Sequence, residues 1–436
     1  MAPDVAIKAY TQADRYFRRN FFLLLTEYST RHVAMAFIDP NVILPVFLSR
    51  LTDSSLLIGL NSSLPFTMWL FPQLFAARYL TGKTQKKRYI LIPMLANRPV
   101  CFVLALALLL GGVRYPPLML TLVILGSSLL WATQGLAAVA WFDLVDKAMP
   151  TRQRGRLFGS GQVASGLLIV GAGAAISYIL GNAGLPFPRD YVVLFLTGGA
   201  IFAVDWFIMA AIKEPEETTA VDPGVSNSSF LRRLADIWKQ DRDFRTFMAV
   251  RLLAGLKGLA VPFYAIFGTE QLGLGEGVVG PFTSILVIGN MVGAVLLGAL
   301  YEKRGGRWSI RGGVVAGMFA PLWALLLPSL MPAGHPWMIY AYGLVFFALG
   351  MQKANFLQGF CNYLLDLAPA DQRPTYMALS NTINGVIILP AALVGGAILD
   401  LTGNSYPTLF GVTAACMGVG LLCTAWLSGA SHHRGG

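Results

Sequence analysis

The sequence predicts an all-α membrane protein with twelve transmembrane helices in two pseudo-symmetric six-helix bundles. Three observations predict it. Of the 436 residues, 55% are hydrophobic and 13% charged, against about 25% charged in a soluble domain, and mean hydropathy is +0.60. Apolar stretches of about 20 residues or more, each long enough to cross a bilayer, follow one another along the chain. The lysines and arginines gather in alternate connections between those stretches.

The predicted spans run over residues 21–50, 56–80, 89–112, 117–143, 157–181, 190–212, 245–269, 278–301, 310–331, 336–365, 375–400 and 405–428. Several contain proline or glycine, which bundled helices in lipid tolerate when neighbours satisfy the freed backbone groups. Lys8, Arg15, Arg18 and Arg19 precede the first span. The apolar run behind them is too long for a signal-peptide core and reads as a spanning helix. Cys101, Cys361, Cys416 and Cys423 lie inside apolar stretches without metal-type spacing, so they read as small buried hydrophobes and imply neither disulfide framework nor metal site.

With the amino terminus inside, 25 of the 33 lysines and arginines fall on inner segments, and only Arg50, Arg114 and Arg189 on outer ones. This asymmetry predicts a multi-pass protein of the cell (inner) membrane with both termini cytoplasmic. It also accounts for most of the net charge of +11 without a nucleic-acid partner.

The longest polar stretch, 213–244, divides the chain into bundles 1–212 and 245–436. It opens with Glu214, Glu216, Glu217 and Asp222. Ser228 or Ser229 can then cap a short helix. Phe230, Leu231, Leu234, Ile237 and Trp238 share one face of that helix, and Arg232, Arg233, Asp236 and Lys239 lie largely opposite. That pattern predicts an amphipathic linker helix on the inner membrane surface.

The halves echo each other at a spacing of about 220 residues. Met149–Gly155 (MPTRQRG) matches Ala368–Pro374 (APADQRP), each with a proline four residues before an arginine. The connection after the second span, from Ala76 through Arg78 to Gly82, matches Gly298–Arg307 after the eighth. Arg31 in the first span matches Arg251 in the seventh.

At these residues the chain resembles the major facilitator superfamily over nearly its whole length. Gly298–Arg307 is similar to that family's loop motif, and its first-half copy is degenerate. The resemblance implies a cytoplasmic gate of charge pairs, with Arg78, Glu302, Arg304 and Arg307 as members and Asp143 as a partner for Arg154. Ordinary positive-inside anchoring is the competing reading of the loop cations. Two departures argue against proton-driven drug efflux. Trp131 stands where the family's fourth helix places an arginine, and the fifth span lacks the glycine-proline pair of the drug antiporters.

Charges at membrane depth are costly and mark functional candidates. The basic set is Arg31, Arg98, Arg251, Lys257 and Lys353; the acidic set is Glu27, Asp39, Asp143 and Asp205. Glu27 and Arg31, four residues apart, suit a helical ion pair. In the resembled fold the first, fourth, seventh and tenth helices line a central cavity. That makes Arg31, Asp39, Asn41, Gln134, Arg251, Lys257, Gln352, Lys353, Asn355 and Gln358 the substrate and coupling candidates. Gln352 and Asn355 share a helix face, whereas Lys353 points about 100° away from Gln352. Lys353 reads either as a counter-ion to Asp39 or as a substrate contact. Asp39 is also a candidate carrier of a coupling proton, and His32 a weaker one. The cationic surplus of these helices points toward an anionic solute. Gly289-x-x-x-Gly293 and Gly313-x-x-x-Gly317 predict close helix packing.

A secondary transporter using alternating access, acting as a monomer on a small solute and coupled to protons or another ion, is the leading functional reading. The alternative is a non-transporting receptor or assembly factor on the same scaffold. No phosphate-cradling loop is present. The four histidines, His32, His335, His432 and His433, form no cluster, so neither a cofactor nor an enzyme reaction is predicted.

Overall fold

The computed structural model describes residues 3–80, 83–182, 184–215, 236–332, 334–369 and 372–428, which form helices joined by turns. The chain opens with α1 (Pro3–Ala36), α2 (Ile43–Ser49) and α3 (Ser55–Leu80). Next come α4 (Arg88–Asn97), α5 (Pro99–Leu109), α6 (Pro116–Ala148), α7 (Thr151–Gly181) and α8 (Arg189–Ala211). Then follow α9 (Arg242–Gly255), the four-residue α10 (Phe263–Ile266), α11 (Val279–Arg304) and α12 (Gly306–Leu330). The last are α13 (Met338–Asn355), α14 (Asn362–Leu367), α15 (Arg373–Leu401) and α16 (Tyr406–Cys423). Proline opens α5 and α6, where its missing N–H would have had no partner in any case.

Nine helices among the described residues are long and apolar enough to cross a membrane. Helix also lies over the other predicted spans, 21–50, 56–80 and 336–365. The difference from expectation is continuity. The first span breaks after Ala36 in a turn that holds Pro40. The seventh breaks into a 3₁₀ turn at Leu256–Leu259, ahead of Pro262, and ends in a π-helical turn at Phe267–Gln271. The tenth carries a π-helical turn at Phe356–Cys361. Proline explains the first two breaks, since its ring removes a donor and crowds the preceding turn. Of the four spans proposed to line a cavity, only the fourth, α6, is continuous.

Of the predicted linker helix, residues 216–235 lie outside the described part. Residues 236–240 are helical, with Ile237 buried and Trp238 partly exposed.

Packing divides the chain into two units. Unit 1 is Met1–Asp39 with Leu64–Gly224, and unit 2 is Pro40–Ser63 with Val225–Gly436. The core of unit 1 includes Leu24, Ile90, Ala140, Leu144 and Met209. In unit 2, Phe247 stacks on Tyr363 at 5.6 Å, within a core that includes Phe244, Met248 and Ile310.

Unit 2 takes in Pro40–Ser63, which chain order would assign to the first half. The local chemistry explains this placement. The first N–H groups of α3 lack helical partners, and the Asp400 carboxylate of α15 accepts from Ser55 N at 2.8 Å and Leu56 N at 3.1 Å. Ser54 Oγ donates to the same carboxylate at 3.2 Å. Arg50 and Glu276 form an ion pair at 3.2 Å. An anion at a helix N-terminus also meets the positive end of the helix dipole.

Candidate functional site

Unit 1 neutralises its buried charges internally. Arg98, at the α4–α5 break, donates to Asp205 on α8 at 2.6 Å, and their side chains are 6% and 0% exposed. Arg98 also donates to Asn97 Oδ1, whose amide donates to Thr133 on α6. Thr30 of α1 donates to the second Asp205 oxygen at 3.1 Å. One helical turn earlier, Glu27 accepts from Arg31 Nε at 3.2 Å and from Trp141 Nε1 at 3.0 Å. The pair anticipated from the four-residue spacing is thus present, with a tryptophan added. His32 Nδ1 lies 2.6 Å from the Tyr28 carbonyl. Gln134 is buried on α6, and its Nε2 has no partner among the described residues. Asp39 and Asn41 lie half-buried in the turn that follows α1, Asp39 ending unit 1 and Asn41 within unit 2.

Unit 2 does the opposite. Buried Arg251 on α9 donates to Ser380 Oγ and, at 2.9 Å, to Asn381 Oδ1 on α15, and lies over the Phe356 ring. None of these partners carries charge. Half-buried Lys257 sits in the 3₁₀ turn of the seventh span, and exposed Lys353 one turn before the π-helical turn of the tenth. Neither forms an ion pair among the described residues, and no carboxylate pairs with Arg251. Lys257 thus stands in an irregular turn, Arg251 and Lys353 stand in regular helix within one or two turns of such a segment, and none of the three has a carboxylate partner among the described residues. Single π-turns inside helices recur at functional sites, and interrupted helices build the binding sites of many transporters.

Gln352 and Asn355 do share a face, as their spacing requires, and that face packs inside unit 2. Gln352 Nε2 donates to the Ala254 carbonyl at 3.3 Å, and Asn355 Nδ2 to the Ile310 carbonyl at 3.4 Å. Gly313 and Gly317 of α12 explain the fit. A Cβ at Gly313 would lie 2.1 Å from the Asn355 side chain, and one at Gly317 2.4 Å from that of Gln352. The repeated glycines admit two amides, whereas Lys353 points away from them. Gln358, half-buried, lies beside Gly298 of α11.

The loop charges are paired differently from the sequence expectation. Asp143 forms an ion pair with Lys86 at 3.0 Å. Arg154 pairs instead with Asp146 and also donates to the Asp146 carbonyl at 2.8 Å. The expected Asp143–Arg154 pair is displaced by three residues, nearly one helical turn, which puts Asp146 rather than Asp143 beside the start of α7. Arg78 belongs to α3, but its side chain lies outside the described part. In the glycine-framed loop, Arg304 and Arg307 lie 5.7 Å and 5.8 Å from the Trp308 ring centre, and Glu302 is exposed without an ion pair among the described residues. Gly305 links α11 to α12 at φ +86°, ψ 171°, a conformation open essentially to glycine alone.

Sequence reasoning missed a clamp on the same loops. Glu214, just after α8, accepts from Lys86 N at 2.7 Å and Lys87 N at 2.9 Å, capping α4. In return, Lys87 Nζ donates to the Ala210 and Ile212 carbonyls and Arg19 to that of Ala211, so cations cover the negative end of α8. The available signal was the first of several acids immediately after an apolar span, set against orphan N–H groups at a helix start elsewhere in the chain.

No protein-family model matches the sequence, and no curated protein matches it. Solved structures match the fold. A point mutant of the nucleoside transporter NupG superposes with a TM-score of 0.73 at 13% identity, covering 93% of this chain and 99% of that one. A D-xylose-proton symporter gives 0.68 at 12%, covering 94% and 99%. A bacterial homologue of the iron transporter ferroportin, in its inward-facing state, gives 0.67 at 13%, covering 95% and 99%. All three have the major facilitator fold. Together with the apolar helices, these matches make the chain a multi-pass membrane protein of that fold.

Proposed function

We propose that this protein is a secondary active transporter that carries a small anionic solute by alternating access, held by Arg251, Lys257 and Lys353. The uncompensated charge of these three residues carries the reading. At buried Arg251, removing a cation from water is expensive unless an opposite charge replaces the solvent, while half-buried Lys257 and exposed Lys353 remain open to an anion. In unit 1 protein carboxylates supply that charge at Arg31 and Arg98. In unit 2 a solute carboxylate or phosphate supplies it, and the irregular turns around Lys257 and Lys353 let the backbone open as the solute enters and leaves.

Asp39, Asn41, Gln134 and Gln358 are the remaining proposed solute or coupling contacts, with Asp39 as the carrier of a coupling proton. The Glu302–Arg307 turn and the Lys86–Asp143 and Arg154–Asp146 pairs form the proposed gate. The membership in this fold of a symporter and two further transporters supports transport as the activity, and the arginine-rich loops support a cell-membrane orientation with both termini cytoplasmic. The test is flux into proteoliposomes of matched anionic, neutral and cationic solutes. Anions should be carried preferentially, and Lys257→Ala or Lys353→Ala should slow their uptake about tenfold or more, the scale of a lost charged hydrogen bond. Preferential flux of cations, or anion flux untouched by both variants, overturns the reading. A complete lack of flux favours the receptor or assembly-factor alternative.

A further inference from the structure

We infer that unit 2 carries a binding site for one anionic phospholipid headgroup, built between the first turns of α9 and the end of α16. A groove of about 450 Å³ opens there, lined by Arg242, Arg245, Thr246, Ala249, Cys423 and Trp426. The four α9 positions follow the spacing i, i+3, i+4, i+7, so they form one stripe of the helix. The two helices touch deeper in the bundle, where Gly420 seats against Leu253 and Ala254. The groove lies between their ends on the basic side of that contact.

Chemistry changes along that stripe in one direction. Arg242, Arg245 and Thr246 begin the stripe at the helix start, and Ala249 ends it, one turn further along the spanning stretch. This gradient matches an amphiphile with a charged head and an apolar tail, and it matches a free anion poorly. Arg245 is held at the rim because its Nη1 donates to the Trp238 and Lys239 carbonyls at 2.9 Å and 2.6 Å. The Arg242 side chain is exposed and has no partner among the described residues, while its carbonyl accepts from the Thr246 hydroxyl at 3.1 Å. Among the described residues no carboxylate lines the groove. Neighbouring Asp241 is already engaged, accepting from Phe244 N at 2.8 Å and from the Tyr376 hydroxyl at 2.7 Å.

The depth also fits. Arg242 begins one membrane-spanning stretch and Trp426 ends another, which puts the rim at the edge of the apolar layer. Trp426 is largely exposed and Trp238 partly so, as befits indoles at headgroup level. Basic pockets between spanning helices at this level are suited to anionic headgroups. The site does not depend on the solute proposed above, because none of its residues belongs to that set.

The experiment is native mass spectrometry of the full chain in detergent, titrated with dioleoylphosphatidylglycerol, dioleoylphosphatidylcholine or inorganic phosphate. Phosphatidylglycerol should bind at least tenfold more tightly than phosphatidylcholine, and phosphate should not displace it. Arg242→Gln with Arg245→Gln should weaken phosphatidylglycerol about twenty-five-fold, roughly fivefold for each arginine near the surface. Ala249→Trp, a substitution at an exposed position, should fill the groove and give a similar loss, whereas Arg189→Gln should change nothing. Equal binding of both lipids, displacement by phosphate, or full phosphatidylglycerol binding by either groove variant overturns the assignment. If one groove variant fails to fold, the other decides.

Discussion

Arg31 and Arg251 occupy matching places in the two halves, and the structure treats them in opposite ways. Four residues before Arg31 stands Glu27, which pairs with it. Four residues before Arg251 stands Phe247, fully buried and stacked on Tyr363. The repeat kept the cation and exchanged its counter-ion for core packing. The same contrast extends outward. Arg98 in unit 1 meets Asp205, whereas Lys257 and Lys353 in unit 2 form no ion pair among the described residues. Arg31 and Arg98 of unit 1 thus have protein carboxylates beside them, whereas Arg251, Lys257 and Lys353 of unit 2 have none among the described residues.

Breaking the most buried pair should have the largest effect. Arg98→Ala leaves the Asp205 carboxylate uncompensated at zero exposure and should cost about 3–5 kcal/mol of stability, read as a drop in thermal unfolding midpoint in detergent. The double variant Arg98→Met with Asp205→Leu should recover most of the loss. An Arg98→Ala midpoint equal to wild type would show that the pair is not a structural element. Next comes Glu27→Gln, which removes the charge facing Arg31. Arg31 is 26% exposed and can reach water, so the loss should be smaller, about 2 kcal/mol.

Asp400→Asn sharpens the comparison within unit 2, because Asp400 is an acid given to a helix end rather than to a cation. Loss of the α3 cap should cost about 1 kcal/mol, and hydrogen exchange should quicken at Ser55 and Leu56 first. Lys257→Gln and Lys353→Gln should have the smallest effect on stability. Each should leave the unfolding midpoint unchanged, since neither lysine forms an ion pair among the described residues that the substitution would break. A loss of several degrees would mean that these lysines have protein partners after all, and the contrast between units would fail.

The fold was largely legible because lipid imposes a simple rule, that apolar stretches of fixed length must be helical. Proline made two of the helix breaks readable in retrospect, at Pro40 and Pro262. The π-helical turn at Phe356–Cys361 has no such mark, as nothing in Phe-Leu-Gln-Gly-Phe-Cys forces an extra residue into a turn. Partners were the least legible part. Glu27–Arg31 is local and was found by spacing, but Arg98 and Asp205 lie 107 residues apart and Lys86 and Glu214 128 apart. Sequence displays such charges without saying which helix faces which. Gln352 and Asn355 illustrate the same limit. That they share a face follows from spacing, but the face expected to line a cavity packs instead on Gly313 and Gly317.

Equilibrium binding of one solute series, identical in size and differing only in charge, to wild-type protein and to the Lys257→Gln, Lys353→Gln double variant tests the central claim most directly. The anionic member should bind wild type best, and the double variant should bind it about a hundredfold more weakly, the scale of two charged contacts, while its unfolding midpoint stays in place. Tighter binding of the neutral or cationic member to wild type, or unchanged anion affinity in the double variant, would contradict the account.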